Sequence, residues 1–249
     1  MKKSILIILS ALCLFACGGK RDSAKEETTA ALQNMPGDST RYGLACDGCT
    51  DSILVLLPFS GANPDTFDVI NAFQQHRVLG RPQVGDELAV ILNPEDKEEV
   101  LMVINIEEIK GEWCYQVMPT FRNLENMPQR MQRRMMERIP DSVKQKLLVP
   151  REYGLRLKRG NVAQSFGASR NRNADQMSPV EYPKLRRYGE WRLYNGQLLL
   201  GTDTSSFANN EKKAREYDTV TIQLLRHDSL VLKFKDHEQG YYRKTNNNQ

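Results

Sequence analysis

The last third of the chain alternates apolar and polar residues with a period of two, and tight turns interrupt the alternation at regular spacing. Trp191 and Leu193 precede Tyr194-Asn195-Gly196, after which Leu198 and Leu200 resume. Asn-Gly supplies the positive φ values of a two-residue hairpin, so these segments pair antiparallel. Val220, Ile222 and Leu224 alternate next, Arg226 to Ser229 turns, Leu230, Leu232 and Phe234 alternate, and Asp236 to Gly240 turns again before Tyr241 and Tyr242. Further upstream, Trp113, Tyr115 and Val117 alternate against Glu112, Cys114 and Gln116. Tyr153, Leu155 and Leu157 then turn through Arg159-Gly160-Asn161 into Val162, Gln164 and Phe166. About eight half-buried strands joined mostly by hairpins predict an up-and-down antiparallel barrel, wide enough inside for side chains or one small ligand. With Trp113, Tyr115 and Val117 facing inward, these three are the candidate ligand-binding residues.

Ahead of this barrel the composition changes. Residues 38–112 carry 14 acidic and 5 basic side chains, a net of −9, whereas residues 113–249 carry 14 acidic and 25 basic, a net of +11. Such asymmetry predicts two domains whose opposite potentials favour docking. In the acidic part, Ile53 to Leu57, Leu88 to Leu92 and Val100 to Ile104 are short apolar runs that fit buried strands. Asn63-Pro64-Asp65-Thr66 has the signature of a helix start, with Phe67, Ile70 and Phe73 following at helical spacing. A small α+β unit, or a barrel of the oligonucleotide/oligosaccharide-binding (OB) type, follows from these elements.

Between the first two strands of the large barrel lies a basic helical insert, 124–149. Pro128 and Pro140 suit first helical turns, and Met131, Met135, Ile139, Val143 and Leu147 recur every four residues. Two short amphipathic helices result, either covering one barrel mouth or packing outside it. Methionine at this spacing is core filler rather than a thioether site for copper.

The N-terminus carries an address. Lys2 and Lys3 precede the apolar run Ile5 to Leu14, which is too short to span a bilayer, and Leu14-Phe15-Ala16-Cys17 follows. This tetrapeptide resembles the lipobox of bacterial lipoproteins, which implies Cys17 as the lipid-attachment site. Gly18 to Thr40 lacks any apolar period and reads as a flexible tether with a reach on the order of 25 to 30 Å.

Two further resemblances bear on the folded part. Lys110-Gly111-Glu112-Trp113 looks like the Gly-x-Trp opening of lipocalin-type barrels. Together with Tyr188-Gly189-Glu190-Trp191, Tyr217 to Leu225, Asp228 to Leu232 and Gly240-Tyr241-Tyr242-Arg243, it resembles the lipocalin-like domain of a Gram-negative lipoprotein family over residues 109–245. Cys46-Asp47-Gly48-Cys49 resembles the Cys-x-x-Cys of NlpE-type envelope lipoproteins, although the interior of that motif differs here. At this spacing Cys46 and Cys49 suit a disulfide in an oxidising envelope, with redox sensing or soft-metal binding as the alternative. Cys114 is left as a small apolar filler on its strand.

The chain thus reads as mainly β: a signal peptide (1–16), a lipidated tether (17–40), a small acidic β-rich domain (41–108) and a basic lipocalin-like barrel (109–245). His76, His227 and His237 stand at no metal-ligand spacing, and no nucleophile or phosphate-loop motif is present. The expectation is a non-catalytic outer-membrane lipoprotein without cofactor or metal, held to the membrane by its N-terminal lipid. Its partner is a small apolar or amphipathic ligand or, if it serves as an adaptor, an envelope protein; nucleic acid is not expected. The alternative is an envelope-stress sensor acting through Cys46 and Cys49. Anchoring is testable by fatty-acid labelling in a Gram-negative host: the native chain takes up label, the Cys17→Ser chain takes up none, and equal labelling rejects the assignment.

Overall fold

The structure, a computed structural model, describes residues 36–122, 126–167, 178–202 and 216–244. The signal peptide, Cys17 and the tether up to residue 35 lie outside the described residues, as do 124 and 125 of the insert. The described residues form one compact unit built on two main sheets.

The first sheet holds β1 (Arg41–Ala45), β2 (Ile53–Pro58), β3 (Asp65–Asp68), β4 (Val78–Leu79), β5 (Glu87–Leu92) and β6 (Val100–Asn105), in the order β3-β2-β1-β5-β6-β4. Asp68, at the end of β3, bridges in parallel to Glu99 and donates its N–H to the Glu98 carbonyl at 2.8 Å. The sheet therefore curls until β3 meets the start of β6, giving the OB-like arrangement. The helix expected from Asn63-Pro64 does not start there. Residues 65–68 instead pair with β2 through Thr66–Val55 and Phe67–Leu54, burying Phe67 in the core. Cross-strand pairing outweighs the cap signal, and only a five-residue helix remains, α1 (Ile70–Gln74), whose first N–H bonds to Asp68 Oδ1 at 2.8 Å.

The runs at β5 and β6 are continuously apolar because both faces are covered. Leu88, Val90, Val100 and Val103 point into the core of the small unit, while Ala89 and Ile104 belong to the core of the larger barrel. The second sheet docks against that outer face. Its eight strands are β7 (Gly111–Val117), β9 (Arg151–Leu157), β10 (Ala163–Phe166), β12 (Tyr188–Tyr194), β13 (Gln197–Thr202), β14 (Tyr217–Leu225), β15 (Ser229–Lys233) and β16 (Glu238–Arg243). Two short strands, β8 (Thr120–Phe121) and β11 (Val180–Glu181), pair separately.

The order β10-β9-β7-β16-β15-β14-β13-β12 is an up-and-down meander in which the last strand returns to the first. One seam is left, between β10 and β12. It is stitched by a Val162–Glu190 bridge, by the Trp191 N–H on the Asn161 carbonyl at 2.8 Å, and by the Tyr188 N–H on Ser165 Oγ at 3.0 Å. The barrel is nearly closed, which leaves little free strand edge. Its tight turn sits where Asn-Gly predicts it, with φ of 47° at Asn195 and 77° at Gly196. That turn also packs on the small unit: a Cβ on Gly196 would lie 2.8 Å from Met102 Sδ, and the Asn195 N–H bonds to Asp38 Oδ1 at 3.0 Å.

A single turn of helix, α2 (Ile106–Ile109), links the two sheets and plugs one end of the barrel. Asn105 caps it by accepting the Glu108 N–H, and Ile106 and Ile109 are buried. Trp113 lies beneath it, fully buried, donating Nε1–H to the Ile109 carbonyl at 2.8 Å. The Arg243 guanidinium stacks 4.2 Å from the Trp113 ring centre and donates to the Lys110, Glu108 and His227 carbonyls. The insert forms α3 (Gln129–Arg138) and α4 (Asp141–Leu147), neither of which buries a residue. Trp113→Ala would open a cavity and remove the ring that Arg243 stacks on, so a loss of about 3–5 kcal/mol in urea unfolding is expected; a loss below about 1 kcal/mol would mean that this end of the barrel is not the packed core described.

Candidate functional site

The two ends of the barrel differ in kind. At the α2 end, Trp113, Leu157, Leu198, Leu200, Leu230 and Leu232 fill the interior and are essentially inaccessible. At the opposite end the interior is open, with a cavity of about 950 Å³. Its aromatic surface comes from Tyr115, Tyr188, Phe234 and Tyr241, and its rim from the outward-facing Tyr217 with Lys184, Arg186, Lys233, Lys235, Asp236 and His237.

Strand parity explains why these side chains converge. Tyr115 follows Trp113 on the inward face of β7, and Phe234 continues the inward series of Leu230 and Leu232 past the end of β15. Tyr115 meets Tyr241 edge-on at 5.1 Å between ring centres and Tyr153 at 6.1 Å. Phe234 and His237, on either side of the β15–β16 turn, stack in parallel at 4.7 Å. Asp218 shares the inward face of β14 with Val220 and Ile222, and accepts from Tyr188 Oη at 2.6 Å and Arg186 Nη2 at 2.7 Å. Burial and the Asp218 carboxylate push the Tyr188 phenol upward, and burial with the neighbouring Tyr115 does the same to Tyr241. Both phenols stay neutral at any physiological pH and act as hydrogen-bonding or stacking groups, not as bases.

Of the three residues expected to meet a ligand, Tyr115 lines the main cavity. Val117 borders a smaller recess of about 350 Å³ beside Tyr153, Pro183 and Gln239, into which Tyr115 also faces. Trp113 is absent from both linings and belongs to the packed end. Tyr188, Tyr241, Asp218 and Arg186 escaped the sequence reading. Asp218 carried a usable signal: a charged residue in register with Val220 and Ile222 must face the interior, and an interior carboxylate needs partners. No described residue of α3 or α4 lines the main cavity, and Met131, Met135 and Val143 are left exposed.

Cys46 and Cys49 lie away from the cavity, in the turn between β1 and β2, and both are thiols in the structure. Cys49 Sγ sits 3.2 Å from the Cys46 carbonyl and accepts the Val55 N–H at 3.4 Å. Among the described residues, neither belongs to a cluster of three or more His, Cys, Asp or Glu side chains that could hold a metal. Cys114 is buried, and desolvation together with the nearby Glu152 carboxylate pushes its thiol up to about 11.

A comparison with protein-family models finds no match, and neither does one with curated proteins. Among solved structures, a lipocalin-like protein from Bacteroides thetaiotaomicron is similar, at 20% identity and a TM-score of 0.28, over 55% of this chain and 97% of that one. The register of the eight strands, not this likeness, defines the barrel. Because only the thiolate is nucleophilic, iodoacetamide at pH 8 should label Cys46 and Cys49 in reduced folded protein and spare Cys114, as read by peptide mapping. Labelling of Cys114 at a comparable rate would contradict its burial.

Proposed function

We propose that this chain is a non-catalytic binding protein of the cell envelope, anchored in the outer membrane through a lipid on Cys17, whose barrel takes one small amphipathic ligand at its open end. The observation that carries the reading is the contrast between a filled end of the barrel and an open end that holds a cavity of about 950 Å³, within the size range of small-molecule sites. An interior that served only as a core would be filled at both ends, as it is around Trp113. The leader, the lipobox-like tetrapeptide and the tether support the address. Absence of catalysis is inferred from the cavity chemistry: the Tyr188 and Tyr241 phenols are held neutral, and the carboxylates are taken up by Arg186, Tyr188 and His237.

A second reading rests on the half-buried thiols of Cys46 and Cys49, which are close enough in sequence to exchange between dithiol and disulfide forms. In that case the small unit responds to redox state and the barrel is its partner surface.

Calorimetric titration with a homologous series of saturated fatty acids tests the first reading. Each methylene buried contributes about 0.8 kcal/mol before ordering costs, so affinity should rise with chain length. The rise should stop after a few methylenes, where the chain meets the packed layer above Trp113. Tyr241→Ala, which removes a wall of the cavity, should weaken binding by about 1 kcal/mol or more. No saturable heat with any fatty acid, nor with a compact aromatic amphiphile of similar size, would reject a binding barrel.

A further inference from the structure

We infer that the open end of the barrel selects a compact aromatic anion, a flat ring system bearing a carboxylate, sulfate or phosphate, in preference to a long acyl chain. This rests on the binding reading above and names the ligand class for the same cavity.

Three independent features converge on that class. The first is depth. Below Tyr115 and Leu155 the interior is occupied by Trp113, Leu200 and Leu232, each fully buried, so no channel continues toward α2 for an extended chain. The second is the wall. Tyr115 and Tyr241 already meet edge-on, and Phe234 and His237 stack in parallel, so the cavity offers both ring edges and ring faces. An inserted ring gains the quadrupole-directed contacts that an aliphatic chain of equal area does not.

The third is the charge of the rim. Lys184, Arg186, Lys233 and Lys235 line the cavity against only two carboxylates, Asp218 and Asp236. Both carboxylates are engaged, Asp218 by Arg186 and Tyr188, and Asp236 by His237 Nδ1 at 2.7 Å. Lys233 lies 3.9 Å from Glu238. Among the described residues, Lys184 and Lys235 have no carboxylate at ion-pair distance, and both line the mouth from different segments, one ahead of β12 and the other in the β15–β16 turn. A ligand with its ring against Tyr115 and Tyr241 would place an acidic group between these two lysines, where charge-assisted hydrogen bonds are available.

The test is calorimetric titration of the purified chain, at low salt, with naphthoate, naphthylmethanol and decanoate. Naphthoate should bind about tenfold or more tightly than the neutral alcohol and more tightly than decanoate, and its affinity should fall as salt is raised. The double variant Lys184→Gln, Lys235→Gln changes two exposed side chains and so keeps the fold. It should lose about tenfold in naphthoate affinity and leave naphthylmethanol unchanged. Equal binding of naphthoate and naphthylmethanol overturns the anionic preference, and tighter binding of decanoate overturns the aromatic one; in either result the cavity still binds and the reading above stands. No saturable heat from any of the three overturns both.

Discussion

Everything in this molecule hangs on the junction where Arg243 closes over Trp113. The tryptophan cannot be buried at the end of a barrel unless its indole N–H is satisfied, and α2 satisfies it with the Ile109 carbonyl at 2.8 Å. That carbonyl is free because a one-turn helix leaves its last carbonyls without partners of their own. Arg243, from the final strand, covers the outer face of the ring and spends its donors on carbonyls of Glu108, Lys110 and His227. The first strand, the last strand and the link to the small unit are thereby held at one point. Register at this end then propagates around the meander, since each strand pairs with its sequence neighbour and only the β10–β12 seam escapes.

The charge asymmetry of the chain suggested ionic docking of the two parts, and the junction is mostly something else. Across it run apolar contacts from Leu79, Ala89, Ile104 and Ile106 to the barrel core, together with the hydrogen bonds of Asn195 with Gly37, Asp38 and Ser39. The ionic element is small. Lys110 sits 2.7 Å from Glu87 and 2.8 Å from Glu107, and Arg159 approaches Glu107 at 3.6 Å. Burial works against the Glu107 carboxylate, but these two cations hold it below the usual range. The Arg159 pair is exposed and contributes little, and the part-buried Lys110 pairs largely offset their own desolvation. Among the described residues, most of the basic side chains of the barrel therefore face solvent or the mouth, and they carry no account of how the parts hold together.

Where a pattern depends only on alternation and turn chemistry, the sequence was legible. The eight strands of the barrel, the Asn195-Gly196 hairpin and the buried runs at Leu88–Leu92 and Val100–Ile104 are all found where residue order predicts them. What failed was local inference opposed by a long-range partner. Asn63-Pro64 looks like a helix start to any local rule, yet β2 stands beside it and Phe67 gains more from the core as a strand residue. The site was the least legible part. Period two assigns Trp113 and Tyr115 to one face correctly, but it cannot say that one lies in a packed layer and the other at a cavity wall. Depth along a barrel axis depends on which end is plugged, and here the plug is α2, four residues with no barrel signature of their own.

That asymmetry allows a barrel of this width to be a stable core and still keep one end open. A strand number near eight leaves an interior that side chains can fill, so any cavity costs packing energy and must be offset elsewhere. The offset is the dense half: two tryptophans, a ring of leucines and the stacked Arg243 concentrate burial at the α2 end and at the seam, where Trp191 donates to the Lys158 carbonyl at 2.9 Å. The open half can then be lined by groups that a core would reject. Tyr188, Asp218 and Arg186 satisfy one another there, so the polar wall is held in place before any ligand arrives. On the proposed function, preorganisation of this kind would lower the ordering cost of binding, and these mutual hydrogen bonds keep the mouth from collapsing onto its own aromatic rings.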